Sequence, residues 1–190
     1  MNTVIVIYPG RFQPFCQHHY SAYKWLKNLF NSRVIIVTSN KVEYGKSPLN
    51  FNEKKEFISK FINPQDIFCL RNLYSYEELK SHINIDGCIL IYAHSAKDID
   101  RIQQSQIPGK ISYLQPFKSM DQCKLSNEHS YFIIMPEFRL KFNNRSLNAT
   151  NMRKYLSTLK VNNISDFKIF QKIFNISDYS FYNYIINKFK

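Results

Sequence analysis

Residues 4–7 of the 190-residue chain, Val-Ile-Val-Ile, are four β-branched apolar residues in a row. Such a run offers no polar face to water, so it reads as a strand buried on both sides, as in parallel sheets. It ends in a basic, aromatic turn, Tyr8-Pro9-Gly10-Arg11-Phe12-Gln13-Pro14-Phe15. A helical pattern then opens near Gln17 to His19, with Tyr20, Tyr23, Trp25, Leu26 and Phe30 at mixed three- and four-residue spacings. A strand that feeds a turn and then a helix is a common place for an α/β protein to hold a phosphate. Backbone N–H groups at the helix start point at the ligand, and the dipole favours negative charge there. The chain has neither a Walker Lys-Ser/Thr loop nor G-x-G-x-x-G, so it is neither a P-loop nor a dinucleotide fingerprint.

The same alternation runs along the chain. Arg33 to Thr38 reads as a second buried strand. A helix follows from Asn50, with Phe51, Phe57, Ile58, Phe61 and Ile62 apolar and Asn50 or Asn52 as its cap. Asp66 to Leu70 reads as a short strand, Ser75 to Ile83 as a helix, Gly87 to Tyr92 as a buried strand and Asp100 to Gln106 as a short helix. Lys110 to Pro116 and Tyr131 to Pro136 read as strands flanking an irregular polar segment. Near Asn148-Ala149-Thr150 a helix begins, with Thr150 as its cap and Arg153 one turn in. The tail carries two helical patterns: Phe167, Phe170, Ile173, Phe174, then Phe181, Tyr182, Ile185, Ile186, Phe189. Ser165 or Asp166, and Ser177 or Asp178, are the caps expected for them. Strands alternating with helices predict a doubly wound parallel sheet, and we expect an α/β domain over residues 1–160 with a helical extension over 161–190.

A net charge of +12 raises the local concentration of anionic partners. The basic residues are spread along the chain, which favours a solvated surface over a nucleic-acid site, and helical spacing favours core packing for the aromatics of the tail. Cys16, Cys69, Cys88 and Cys123 show no C-x-x-C, so no zinc or disulfide framework is expected. Without an apolar stretch near 18 residues or a leader, the chain is expected to be cytoplasmic, reduced and free of the membrane. Composition says nothing that separates a monomer from a homo-oligomer.

Gly10-Arg11-Phe12-Gln13-Pro14-Phe15 followed by Cys16-Gln17-His18-His19 resembles the GRFQPF-HxGH signature of the nucleotidylyltransferase superfamily. Within it, the chain is similar to nicotinamide-nucleotide adenylyltransferases of the NadM type. Cys16 stands where that family has its first His, and His18 where it has Gly. Asn148-Ala149-Thr150 with Arg153 resembles the family's second signature, (S/N)-(S/A/G)-T-x-x-R. Lys46-Ser47-Pro48-Leu49 and Ala93-His94-Ser95-Ala96-Lys97-Asp98 resemble, more loosely, its basic loop and its GH-x-KD turn. No Nudix box is seen, so the Nudix half of two-domain members is expected to be absent.

The resemblance implies a Rossmann-like fold of the HUP type and transfer of AMP from ATP to nicotinamide or nicotinate mononucleotide, with Mg²⁺ accompanying the ATP. The attacking phosphate is already an anion, so the site has to align two anions and stabilise charge rather than move a proton. By the resemblance Arg11, His19, Lys46 and Arg153 are catalytic. Gly10, Arg11, Phe12, Cys16, His18, His19, Asn148, Thr150 and Arg153 would hold ATP. Tyr8, Phe15, Lys97 and Asp98 would hold the mononucleotide, and no residue is assigned as a metal ligand. Losing one charge-assisted donor at Cys16 costs about 1.5–3 kcal/mol, or roughly one to two decades in rate. His18 either blocks the close backbone approach that Gly allows or supplies the donor that Cys16 lacks. The alternatives left open are a sister adenylyl- or cytidylyltransferase with another phosphorylated acceptor, a nucleotide sensor with weakened catalysis, and a basic nucleic-acid-binding module.

Overall fold

The computed structural model describes residues 3–98, 112–142 and 145–190. Six strands form one sheet: β1 (Thr3–Pro9), β2 (Arg33–Thr38), β3 (Ile67–Cys69), β4 (Cys88–His94), β5 (Leu114–Pro116) and β6 (Ser130–Ile134). Their order is β3-β2-β1-β4-β6-β5 and every pairing is parallel. Between β1 and β4 the direction of winding reverses, which is the switch point where open α/β sheets bind ligands beyond their strand ends. β4, the strand beside β1, is buried along its whole length. Among the described residues the α-helices are α1 (Gln17–Phe30), α2 (Phe51–Ser59), α3 (Tyr76–Lys80), α4 (Ala149–Leu156), α5 (Ile164–Phe174) and α6 (Tyr179–Lys188). The expected fold, a Rossmann-like parallel sheet with helices at the C-terminus, is the one observed.

The described chain divides into two compact units. The first comprises Met1–Gly10, Ala22–Thr38 and Gln65–Glu137. Within it, Ile5 and Ile7, Ile35 and Val37, and Cys88, Leu90 and Tyr92 face one side of the sheet by two-residue alternation, and Leu79 of α3 packs among them. The alternate residues Val6, Val34, Ile36, Ile89 and Ile91 are buried too, so both faces are covered. This is why the strands read as unbroken apolar runs.

The second unit comprises Arg11–Ser21, Ser39–Pro64 and Phe138–Lys190. Phe57 of α2 is its centre: the rings of Phe174 and Phe181 lie edge-on at 5.2 Å, with Phe61 and Phe170 at 6.4 Å. Phe170, Phe174, Phe181, Tyr182 and Phe189 of the tail are therefore core residues, as their spacing implies, whereas Tyr184 is exposed. α2 is closed by a capping box in which the Asn50 side chain accepts the Glu53 N–H and Glu53 accepts the Asn50 N–H. The buried Glu53 carboxylate also pairs with Lys188 at 2.7 Å and accepts the Tyr184 hydroxyl at 2.9 Å.

Several sequence expectations need correction. Asn148, not Thr150, caps α4, and Asn163, not Ser165 or Asp166, caps α5. In both cases Asn lies one position before the first helical turn, where its short amide reaches the third amide of the helix. Asp178 caps α6 and Asn50 caps α2, as two of the alternatives allowed. A short antiparallel hairpin, β7 (Leu140–Phe142) with β8 (Arg145–Leu147), precedes α4 and was not expected, because three-residue strands are too short to show a period. The short helix expected over Asp100 to Gln106 lies outside the described residues, as does the start of the strand expected over Lys110 to Pro116.

Candidate functional site

The turn after β1 is built around Gln13. Its side-chain amide donates to the Leu49 carbonyl at 2.7 Å and accepts the Leu49 N–H at 3.0 Å, so it pairs with that backbone as a strand neighbour does. Gln13 is buried, and the clamp ties the turn to the loop that opens α2. Phe12 is held at φ 45°, a left-handed conformation that costs a bulky residue about 1–2 kcal/mol. Strain of this kind is kept where a turn must present its neighbours in a fixed geometry.

Cys16 caps α1 with its carbonyl, which accepts the N–H groups of His19 and Tyr20 at 2.8 and 3.1 Å. The Cys16 N–H in turn donates to Nδ1 of His19 at 3.1 Å. Accepting at Nδ1 places the proton of the neutral ring on Nε2, free to donate to a ligand. Phe12 meets the His19 ring edge-on at 5.3 Å and Phe15 stacks on it at 5.4 Å. Phe15 is completely buried, with Phe61 on its other side at 5.3 Å; its role here is to hold His19 rather than to present a face to a nucleotide ring. The Cys16 sulfur, also buried, lies 3.3 Å from Nδ1 of His18 and 3.4 Å from Nδ1 of His19. Burial pushes the Cys16 thiol far above its ordinary value and lowers His18 to about 4. His19 is driven well below the usual imidazole range by burial and then by the charge of His18. At neutral pH, then, His18 and His19 are uncharged donors, not cations.

The cations come from elsewhere. Arg153, one turn into α4, donates from Nη1 to the Gln13 carbonyl at 3.4 Å and from Nη2 to the Thr150 hydroxyl at 3.2 Å. Burial and then the nearby charge of Arg11 lower its pKa. Its Nε is buried with no acceptor, and among the described residues it has no carboxylate partner. The positive charge of Arg11 is thus felt at the Arg153 guanidinium. Asn148 spends its side chain on the Asn151 N–H as the cap of α4. Lys46 is mostly exposed, pairing with Glu43 at 2.9 Å. The N–H of Gly10 donates to the Val37 carbonyl at 3.0 Å.

In the first unit, Tyr8 is buried near the end of β1. At the carboxyl end of β4, Asp98 accepts the Ser95 hydroxyl at 2.7 Å and Lys97 is exposed in a single 3₁₀ turn, Ala96–Asp98. His94, the His of the turn that resembles GH-x-KD, was assigned no role from the sequence, yet it is the most unusual group there. It is 3% exposed, stacks on Tyr74 at 5.2 Å and 12°, and among the described residues neither ring nitrogen has a hydrogen-bond partner. Burial lowers its pKa, against a smaller opposing effect of Asp98. A buried imidazole with two unmet nitrogens at a strand end is suited to meet a polar ligand. The hints in the sequence are that the apolar run of β4 ends on a His and that this His lies in the turn resembling GH-x-KD.

Among the described residues assigned to the second-unit site, Arg11, His18, His19, Lys46 and Arg153 are nitrogen donors or cations, and Asn148 and Thr150 offer only neutral oxygens that already accept hydrogen bonds, so no carboxylate is present to hold a hard cation. Mg²⁺ fits there only as the companion of a nucleotide, held by its phosphates and water.

The sequence matches the family model described as Cytidylyltransferase-like over residues 7–169, most of its length. No curated protein matches it significantly. Among solved structures, the fold is similar to a bifunctional NMN adenylyltransferase/ADP ribose pyrophosphatase from Francisella tularensis, with a TM-score of 0.56 and 18% identity. The match covers 98% of this chain and 49% of that one, so the chain spans about half the length of that neighbour. It is also similar to the nicotinic acid mononucleotide adenylyltransferase of Plasmodium falciparum complexed with APC, with a TM-score of 0.51 and 19% identity over 94% of each chain. At these identities the neighbours bear on the fold alone, and the family rests on the match across residues 7–169: the chain belongs to the Cytidylyltransferase-like family.

Proposed function

We propose that the protein is an adenylyltransferase that moves AMP from ATP to nicotinamide or nicotinate mononucleotide, releasing pyrophosphate and NAD or its deamido form. The observation that carries this reading is Arg153: a half-buried guanidinium with an unmet Nε that feels the positive charge of Arg11. A polyphosphate is the kind of anion such a guanidinium fork binds. The choice of acceptor is supported by the motif resemblance and by what the two structural neighbours are called.

In this reaction a phosphate oxygen of the mononucleotide forms a bond to the α-phosphorus of ATP, and the bond from that phosphorus to the bridging β-oxygen breaks. No proton need move. Arg11 and Arg153 bind the phosphates and spread the charge of the leaving pyrophosphate, and the Nε2–H of His19 donates to a phosphate oxygen. Thr150, already bonded to Arg153, orients the fork. Mg²⁺, carried by ATP, supplies further neutralisation. Lys97, Asp98, Tyr8 and the unpartnered His94 of the first unit are the groups we assign to the mononucleotide.

The test is a mass-spectrometric assay of the purified protein with Mg²⁺, ATP and either mononucleotide, with Arg153→Ala as control. NAD or deamido-NAD that disappears in the control supports the proposal. Product that persists undiminished in the control, or no product together with no ATP binding by calorimetry, overturns it. A second reading is favoured by Cys16 alone. Its buried thiol replaces a charge-assisted donor, so ATP binding without turnover would identify a nucleotide sensor of the same family.

A further inference from the structure

We propose that Cys16, His18 and His19 form a binding site for one zinc-class divalent ion, with a thiolate and two imidazole nitrogens filling three positions of a tetrahedron. The ligand atoms of the three residues all lie within 4.8 Å of one another. The Cys16 sulfur stands 3.3 Å from Nδ1 of His18 and 3.4 Å from Nδ1 of His19. A tetrahedral ion with a zinc–sulfur bond of about 2.3 Å and zinc–nitrogen bonds of about 2.05 Å separates its sulfur and nitrogen ligands by about 3.5 Å. The side chains thus stand close to the spacing that the ion requires. A sulfur-and-imidazole set selects zinc, copper or iron over magnesium, so this site is distinct from the Mg²⁺ that accompanies ATP.

The Cys16 thiol has one proton to give and faces the Pro14 carbonyl at 3.7 Å as well as Nδ1 of both histidines, of which that of His19 already accepts the Cys16 N–H. An ion bonds both imidazoles and the sulfur together. It displaces two existing contacts, the Cys16 N–H to His19 bond of 3.1 Å and the thiol contact with the Pro14 carbonyl. The cluster is also held in place beforehand. Cys16 is 1% exposed, and His19 is fixed between Phe12 and Phe15. Binding forms the metal–sulfur bond and two metal–nitrogen bonds, releases the thiol proton to solvent and changes no oxidation state.

A dipositive ion on one thiolate and two neutral imidazoles carries a net charge of +1. That is the charge of one imidazolium, placed where the resembling family has the histidine that Cys16 replaces. Coordination through Nδ1 also keeps the proton of His19 on Nε2, directed outward. These two consequences for phosphate binding rest on the adenylyltransferase reading; the ion site itself does not.

The experiment uses the full chain, reduced and freed of metal by a chelator, titrated with Co²⁺ as a spectroscopic probe and with Zn²⁺ in competition. The expected result is one ion per chain, a thiolate-to-cobalt charge-transfer band, and release of a proton. Cys16→Ala should abolish the band. His18→Ala should weaken binding by more than the roughly 10- to 100-fold that loss of an outer partner costs. Cys123→Ala should leave both unchanged. Should Cys16→Ala fail to fold, protection of Cys16 from alkylation by stoichiometric Zn²⁺ in the unaltered chain decides the matter. No stoichiometric ion, a band that survives Cys16→Ala, or no protection overturns the proposal. None of these readouts needs substrate, so an inactive protein that binds the ion would fault the adenylyltransferase reading and not the site.

Discussion

Arg153 donates to the backbone carbonyl of Gln13 at 3.4 Å, joining two motifs that are 140 residues apart. The contact brings the cation of the second motif onto the turn that the first motif builds. Arg153→Ala should lower kcat/KM for product formation by about two to three orders of magnitude, as removal of a transition-state donor does elsewhere. Arg153→Lys should recover only part of it, because an ammonium cannot fork onto two oxygens. Melting temperature should be unchanged or slightly raised, since a half-buried like charge beside Arg11 is removed. A fall in melting temperature that tracks the loss of activity would assign Arg153 to the fold instead.

Gln13→Ala should destabilise the protein by about 1–3 kcal/mol, because it leaves the Leu49 N–H and carbonyl buried and unmet. Denaturant unfolding measures this directly. A Gln13 variant with wild-type stability would mean that the turn does not depend on its clamp.

Among the described residues the His94 ring makes no hydrogen bond, so replacing it by an apolar ring removes none. His94→Phe should keep or raise stability at neutral pH while raising KM for the mononucleotide at least several-fold. Its pH dependence has a definite sign. The folded pKa of His94 lies below the ordinary value of 6.5, so the unfolded chain binds its proton more readily. Stability is then lost as pH falls through about 6.5 toward the folded pKa, and His94→Phe should flatten that stretch of the stability curve. Parallel curves for the two proteins from pH 7 to 5 would contradict the assignment.

Glu53 titrates lower. Burial alone would raise its pKa, but hydrogen bonds from Lys188, the Asn50 N–H and Tyr184, together with the Lys188 charge, hold it below 4.5. Its contribution is present above the unfolded value and disappears as pH falls through the depressed one. Glu53→Gln should cost about 1–3 kcal/mol at pH 7 and show a flatter acid limb below pH 4.5. Chemical denaturation at pH 7, 4.5 and 3 would reveal it, and an unchanged acid limb would rule it out.

The sequence by itself determined the sheet and the two motifs. Val4 to Ile7, Arg33 to Thr38 and Cys88 to Tyr92 can only be buried strands, because runs apolar on both faces have nothing to show to water. Gly10 to Phe15 and Asn148 to Arg153 are local strings, and both were legible before any contact was known. Helix starts among the described residues were legible to within three residues, and the capping residue was chosen by backbone geometry that composition does not carry. Tertiary structure alone decided which of these residues act on one another. Gln13 reads as part of a signature, and only its pairing with Leu49 makes it the clamp. Phe15 reads as a ring for a ligand, and only its complete burial makes it a support for His19. Cys16 reads as a lost histidine, and only the approach of two imidazole nitrogens makes it a candidate ligand. His94 is one more residue in a strand until both its nitrogens are found buried and unmet. The difference is physical: periodicity and turn chemistry are set by neighbours along the chain, whereas burial, charge pairing and unmet polarity are set by neighbours in space.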